Sequence, residues 1–125
     1  MFLKNNYLGA VILVFTTVAL VVSSQSLWKY KLLQLQENNL SLLAKYIELA
    51  KSPIFWIGML GYIIATIMWI YILSIYDFSL VHPLNSMGYI LALLIGHFFF
   101  YEKVGLNRIA GVIAIIIGII ILTRR

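Results

Sequence analysis

Between Leu80 and Leu122 the chain reads LVHPLNSMGYILALLIGHFFFYEKVGLNRIAGVIAIIIGIIIL. Two apolar runs flank a short charged hinge that holds Glu102, Lys103 and Arg108. Each run is about 20 residues long, enough for a helix rising about 1.5 Å per residue to cross ~30 Å of hydrocarbon. A helix in a water-soluble core is shorter and polar along one side, whereas these runs are apolar all round. The stretch reads as a transmembrane hairpin.

The rest of the chain follows the same pattern. With 63% hydrophobic and 10% charged residues, it belongs to the integral membrane class. Further spans are expected at 7–28 and 54–76, joining those at 80–101 and 104–123 in a single all-α domain over residues 1–125. Lys4 ahead of an apolar run has the outline of a signal peptide cleaved near Ser24. That run is long for such a peptide, however, and Lys29 and Lys31 close it like an anchor. The formal charge of +5 comes from cations at span ends, where they hold the interface, so no nucleic-acid partner is expected. Zero cysteines exclude disulfides and thiolate metal sites.

The first span closes on Ser23, Ser24, Gln25 and Ser26, read either as packing groups or as the polar lining of a cavity. Within the loop at 29–53, Leu40, Leu43, Ile47 and Ala50 share one helical face. The spacing predicts a short amphipathic helix in the interface, capped by Asn39 or Ser41 and stopped by Pro53. In span two, Gly58, Gly61 and Ala65 offer a smooth strip to another helix, and Asp77 after it caps the following loop. Pro83 falls in the first turn of span three, where a missing N–H costs little. Gly88, Ala92 and Gly96 repeat every four residues there, and Gly111 and Gly118 stand a heptad apart in span four. Both patterns suit helix–helix contact, within or between subunits. His82 and His97 sit towards span ends, where hydrogen-bonded structure is the commoner role for an imidazole than proton relay.

Four spans put both termini on one side, with Lys4, Arg124 and Arg125. The other side carries Lys29, Lys31, Lys45, Lys51, Lys103 and Arg108. The positive-inside rule places that second side in the cytoplasm and the termini outside. Gln25, Lys29, His97 and Glu102 then become neighbours at one face.

The series Pro53, Trp69, Leu73-Ser74, His82-Pro83-Leu84, Ser86-Met87-Gly88-Tyr89, Tyr101-Glu102, Arg108, Gly111 and Gly118 resembles a single EamA-type repeat of the drug/metabolite transporter superfamily. Within it, the chain looks most like the four-span subunits that flip undecaprenyl-phosphate-aminoarabinose, whose first span ends in a Gln with a Lys four residues on, as Gln25 and Lys29 do here. The pattern departs in three places: Val81-His82 replaces Ala-Tyr before the proline, Tyr101 replaces the glycine before Glu102, and the loop at 29–53 is longer than in the small members. Small multidrug resistance proteins are similar in size, but they work through a glutamate in span one, and this chain has none there.

The resemblance implies a bacterial inner-membrane transporter that flips a polyprenyl-phosphate-linked sugar without a cofactor. It also implies an antiparallel dimer, formed with a related four-span subunit or with a second copy. A phosphate crossing hydrocarbon needs a cation, and a sugar needs hydroxyls and amides. Lys29 is the candidate phosphate partner, although a snorkelling anchor would look the same in sequence. Gln25, Ser23, Ser24, His82 and Tyr89 complete the candidate substrate set; Pro83, Gly111, Gly118 and Glu102 are structural or dimer residues. An exporter of small cations or metabolites is the alternative, with aromatic side chains holding the cation. A scaffold for a membrane glycosyltransferase is the third reading. No nucleophile–base pair or metal-ligand cluster suggests an enzyme.

Overall fold

The computed structural model describes residues 6–36 and 38–124. Lys4 and Arg125, which enter the charge comparison, lie outside them. The described residues form six helices: α1 (Tyr7–Gln36), α2 (Leu42–Lys51), α3 (Pro53–Ile75), α4 (Phe78–Leu84), α5 (Met87–Phe98) and α6 (Leu106–Thr123). Four helical stretches are long and apolar enough to span a membrane: α1, α3, α4 with α5, and α6.

α1 is the central helix. Ala10, Val14, Val18 and Val22 recur every fourth residue, so they make one stripe, and the whole stripe is buried. It packs against Ile72 and Tyr76 of α3 and against Val81, Leu84 and Met87 of α4 and α5. α3 runs antiparallel beside it at close range. A Cβ on Gly61 would meet Ser24 Oγ at 2.5 Å, and one on Gly58 would meet Trp28 Nε1 at 2.4 Å. The glycine strip anticipated in span two is therefore the α1–α3 seam, sealed above by the Trp28 indole, which donates to the Phe55 carbonyl at 3.1 Å.

α1 does not stop at Trp28 as expected. It has 30 residues, about 45 Å of helix, so its last turns carry Lys29 and Lys31 out past a ~30 Å core. Nothing between Trp28 and Gln36 breaks a helix, and Leu35 is buried beside α2. After a turn with Asn39 at φ 46°, α2 returns along α1; Ser41 caps it, accepting from the Ala44 N–H. The buried residue of α2 is Leu49, while Leu43 and Ile47 of the predicted apolar face are exposed. A single residue, Ser52, then ends α2 and begins α3, accepting from the Phe55 N–H, with Pro53 at the first helical position.

The third span is broken. It begins at Phe78, so Pro83 lies past the first turn, contrary to expectation, and the helix cannot pass through it regularly. Asn85 and Ser86 form a tight turn, with the Ser86 N–H bonded to the Pro83 carbonyl and the Tyr89 N–H to the Ser86 carbonyl, each at 3.0 Å. α5 resumes beyond it. α6 packs on α4 and α5 at the flank, and no residue of α6 is buried.

Candidate functional site

The break at Asn85–Ser86 opens a gap. At the end nearest Tyr76, α1, α3 and α4 close tightly around Ile72 and Leu84. Past the break α5 diverges from α3, leaving a cleft of about 530 Å³ floored by α1 at the middle of the spans. Thr66 and Trp69 project from α3, Gln25 from α1, and His82, Asn85 and Tyr89 from α4 and α5. No Asp, Glu, Lys or Arg lines it.

The lining sets amides, hydroxyls and rings among aliphatic side chains. The Thr66 hydroxyl is turned back to the Tyr62 carbonyl at 2.9 Å, a bond that costs the helix little. Gln25 and Asn85 show no side-chain hydrogen bond to any described residue, so both amides are available to a ligand. His82 stacks on Phe78 at 4.6 Å between ring centroids and leans towards Trp69 at 6.3 Å. Cleft walls of rings, amides and hydroxyls suit a sugar, whose apolar faces lie on aromatic rings while its hydroxyls take the amides.

At the far end of α1 a smaller cleft, about 250 Å³, adjoins the first and shares Gln25 with it. Here Lys29 donates to Glu102 and lies 4.8 Å from the Phe100 ring centroid. The other Glu102 oxygen faces Arg108 at 3.8 Å. Hydrogen bonding from Lys29, then its charge, and to a lesser degree Arg108, hold the Glu102 carboxyl below its ordinary range. The Glu102 carbonyl also lies 3.3 Å from His97 Nδ1. Gln25, Lys29, His97 and Glu102 thus gather at one end of the bundle, as the four-span topology anticipates. Two cations face one carboxylate there, so the cluster can accept an anion.

The candidate residues are divided by helical geometry. Successive residues on a helix turn by about 100°, so Ser23 to Ser26 cannot all face one cavity. Gln25 reaches both clefts, Ser26 lines the smaller one while bonded to the Val22 carbonyl at 2.7 Å, and Ser24 is buried in the α1–α3 seam. Ser23 is exposed and lines neither cleft. Pro83 shapes the site by breaking the helix beside it. Gly111 and Gly118 meet nothing: a Cβ at either would have no atom within 4 Å inside the protomer.

Thr66 and Asn85 were not anticipated. Tyr62, Thr66 and Trp69 fall at i, i+4 and i+7 in a span whose other aromatic and hydroxyl residues lie nearer its ends, and that spacing is the signal that marks the wall. Among the described residues no three His, Cys, Asp or Glu side chains gather as a metal site.

Three curated proteins are similar in sequence, each named as a probable 4-amino-4-deoxy-L-arabinose-phosphoundecaprenol flippase subunit ArnE. The one from Proteus mirabilis is 32% identical over 78 residues, 59% of this chain and 67% of the relative. That from Hamiltonella defensa is 32% identical over 74 residues, 58% of this chain and 67% of the relative. That from Photorhabdus laumondii is 30% identical over 60 residues, 48% of this chain and 53% of the relative. No family model and no solved structure matches the chain.

Proposed function

The chain belongs to the ArnE family of flippase subunits, and we propose that it forms one half of a membrane transporter passing a polyprenyl-phosphate-linked sugar between leaflets. It is a multi-pass membrane protein. The observation that carries the reading is the adjacency of the two clefts: an uncharged pocket of amides, hydroxyls and rings opens at Gln25 onto a cationic one at Lys29. The sugar occupies the first and the phosphate the second. A phosphate arriving at Lys29 competes with Glu102 for the same cation, so the ion pair opens as substrate enters and closes behind it. That exchange keeps Lys29 paired throughout and leaves Glu102 facing Arg108, so no charge is left without a partner, and an unpaired charge is the chief barrier to moving a headgroup through a bilayer.

The relatives are subunits by name, and a partner fits the architecture. α6 buries no residue in the protomer and leaves Gly118 open, so a related four-span chain in the opposite orientation closes the bundle from that flank. The cation-rich end, with Lys29, Lys103 and Arg108, faces the cytoplasm of a bacterial inner membrane.

Thermal stabilisation of the purified chain in detergent tests the reading, comparing undecaprenyl phosphate with a lipophilic quaternary cation. Undecaprenyl phosphate stabilises the wild type, and Lys29→Ala loses the effect. Stabilisation by the cation alone would overturn the reading in favour of an exporter that holds its cargo on Trp69 and Tyr89.

A further inference from the structure

A third cavity lies beside the other two, on an adjoining side of α5. It is a groove of about 360 Å³ between α5 and α6, walled mainly by Leu93, Val104, Val112 and Ile115, with Gly111 leaving room along α6. Its one charged end is formed by Glu102 and Arg108, at the loop that also receives Lys29. The groove shares Tyr89 with the sugar-sized cleft and Glu102 with the Lys29 cleft, and Ala92 lines all three.

We infer that this groove seats the first isoprene units of the polyprenyl chain, so that the bound lipid turns at Glu102, with its phosphate in the Lys29 cleft and its tail running between α5 and α6. The inference rests on the flippase reading and adds a subsite to it. The chemistry of the groove selects this occupant. Its walls are aliphatic, its mouth carries Arg108 beside the Lys29–Glu102 pair where the phosphate sits, and it is open towards lipid. From Arg108 to Ile115 the groove descends about 10 Å along α6, a stretch that matches the start of an extended isoprenoid rather than a headgroup. Lipid tails are as apolar as the groove, so the gain comes from packing against a shaped wall and is modest.

The test compares two phosphates with the same headgroup, undecaprenyl phosphate and dimethylallyl phosphate, whose single isoprene unit is too short to reach Val112, as stabilisers of the purified full chain in one detergent. In the wild type the long chain should act at several-fold lower concentration. Val112→Phe, which plugs the groove, should erase that advantage and leave dimethylallyl phosphate unaffected. Gly111→Leu does the same with an added Cβ that clashes with nothing, and it serves if the phenylalanine variant fails to fold. Lys29→Ala should weaken both lipids alike. If the chain-length advantage survives in both plugged variants while Lys29→Ala still weakens both lipids, the groove assignment is wrong and the flippase reading stands. If the wild type responds to neither phosphate, the substrate reading falls and the groove falls with it.

Discussion

Lys29 and Glu102 lie 73 residues apart in the chain and meet as an ion pair that ties the end of α1 to the loop between α5 and α6. The pair is half exposed, and both side chains line the smaller cleft. Its pH dependence has a definite sign. The Glu102 carboxyl titrates below its ordinary value of 4.5 in the folded protein, so the tie contributes fully above about pH 4.5 and is lost as pH falls through the depressed folded value. Protection from hydrogen exchange across residues 99–105, taken relative to the intrinsic rate at each pH, should be high at neutral pH and fall only under acid. Glu102→Gln should show low protection at every pH; unchanged protection would mean that the pair holds nothing in place.

The α1–α3 seam depends on missing side chains. Gly58→Ala pushes a methyl into the Trp28 indole and the Ser24 carbonyl, an overpacking that costs about 1–3 kcal/mol. Gly118→Ala meets open space and removes a glycine from a helix interior, so it should raise the protomer's stability by up to about 1 kcal/mol. Thermal unfolding in detergent separates the two variants, and equal stability would contradict the close approach of the helices.

Tyr101 occupies a left-handed backbone position, φ 54°, immediately before Glu102. The EamA-type pattern that the sequence resembles has glycine there, and the conformation suits it: glycine adopts it without a Cβ penalty. The ring is 88% exposed, so Tyr101→Gly sacrifices little packing. It should stabilise the protein by about 1 kcal/mol in equilibrium unfolding. A loss of stability would mean that the ring anchors the loop at the interface more strongly than the backbone strain opposes it.

Asn85→Leu should impair transfer of the sugar-bearing lipid severalfold while leaving stabilisation by undecaprenyl phosphate intact, since the amide faces the sugar cleft and not the Lys29 cleft. Parallel loss of both readouts would assign Asn85 to folding.

For association, Gly118→Leu should weaken cross-linking between co-expressed partner subunits. An unaltered cross-linking pattern would leave α6 without its interface.

Length and uniform apolarity made the four spans legible, because a bilayer imposes both on any helix that crosses it. The union of Lys29, Gln25 and Glu102 at one end followed from topology alone. The end of α1 was hidden because Lys29 and Lys31 read as a boundary, while a helix is free to continue beyond the hydrocarbon. Pro83 was misplaced by a few residues, and with it the kink that opens the cleft: the true start of α4 at Phe78 gives no signal in an apolar run. Ser24 illustrates a third limit. A small polar residue marks equally a cavity wall and a close helix crossing, and only the helical phase against Gly61 decides between them.

Ser52 is the only residue between α2 and α3, and it caps both. A joint that short leaves no loop to absorb movement between the two helices, so the direction of α2 is set by α3 and by the burial of Leu49. Leu42, Leu43 and Tyr46 are thereby presented outward in a fixed relation to the bundle.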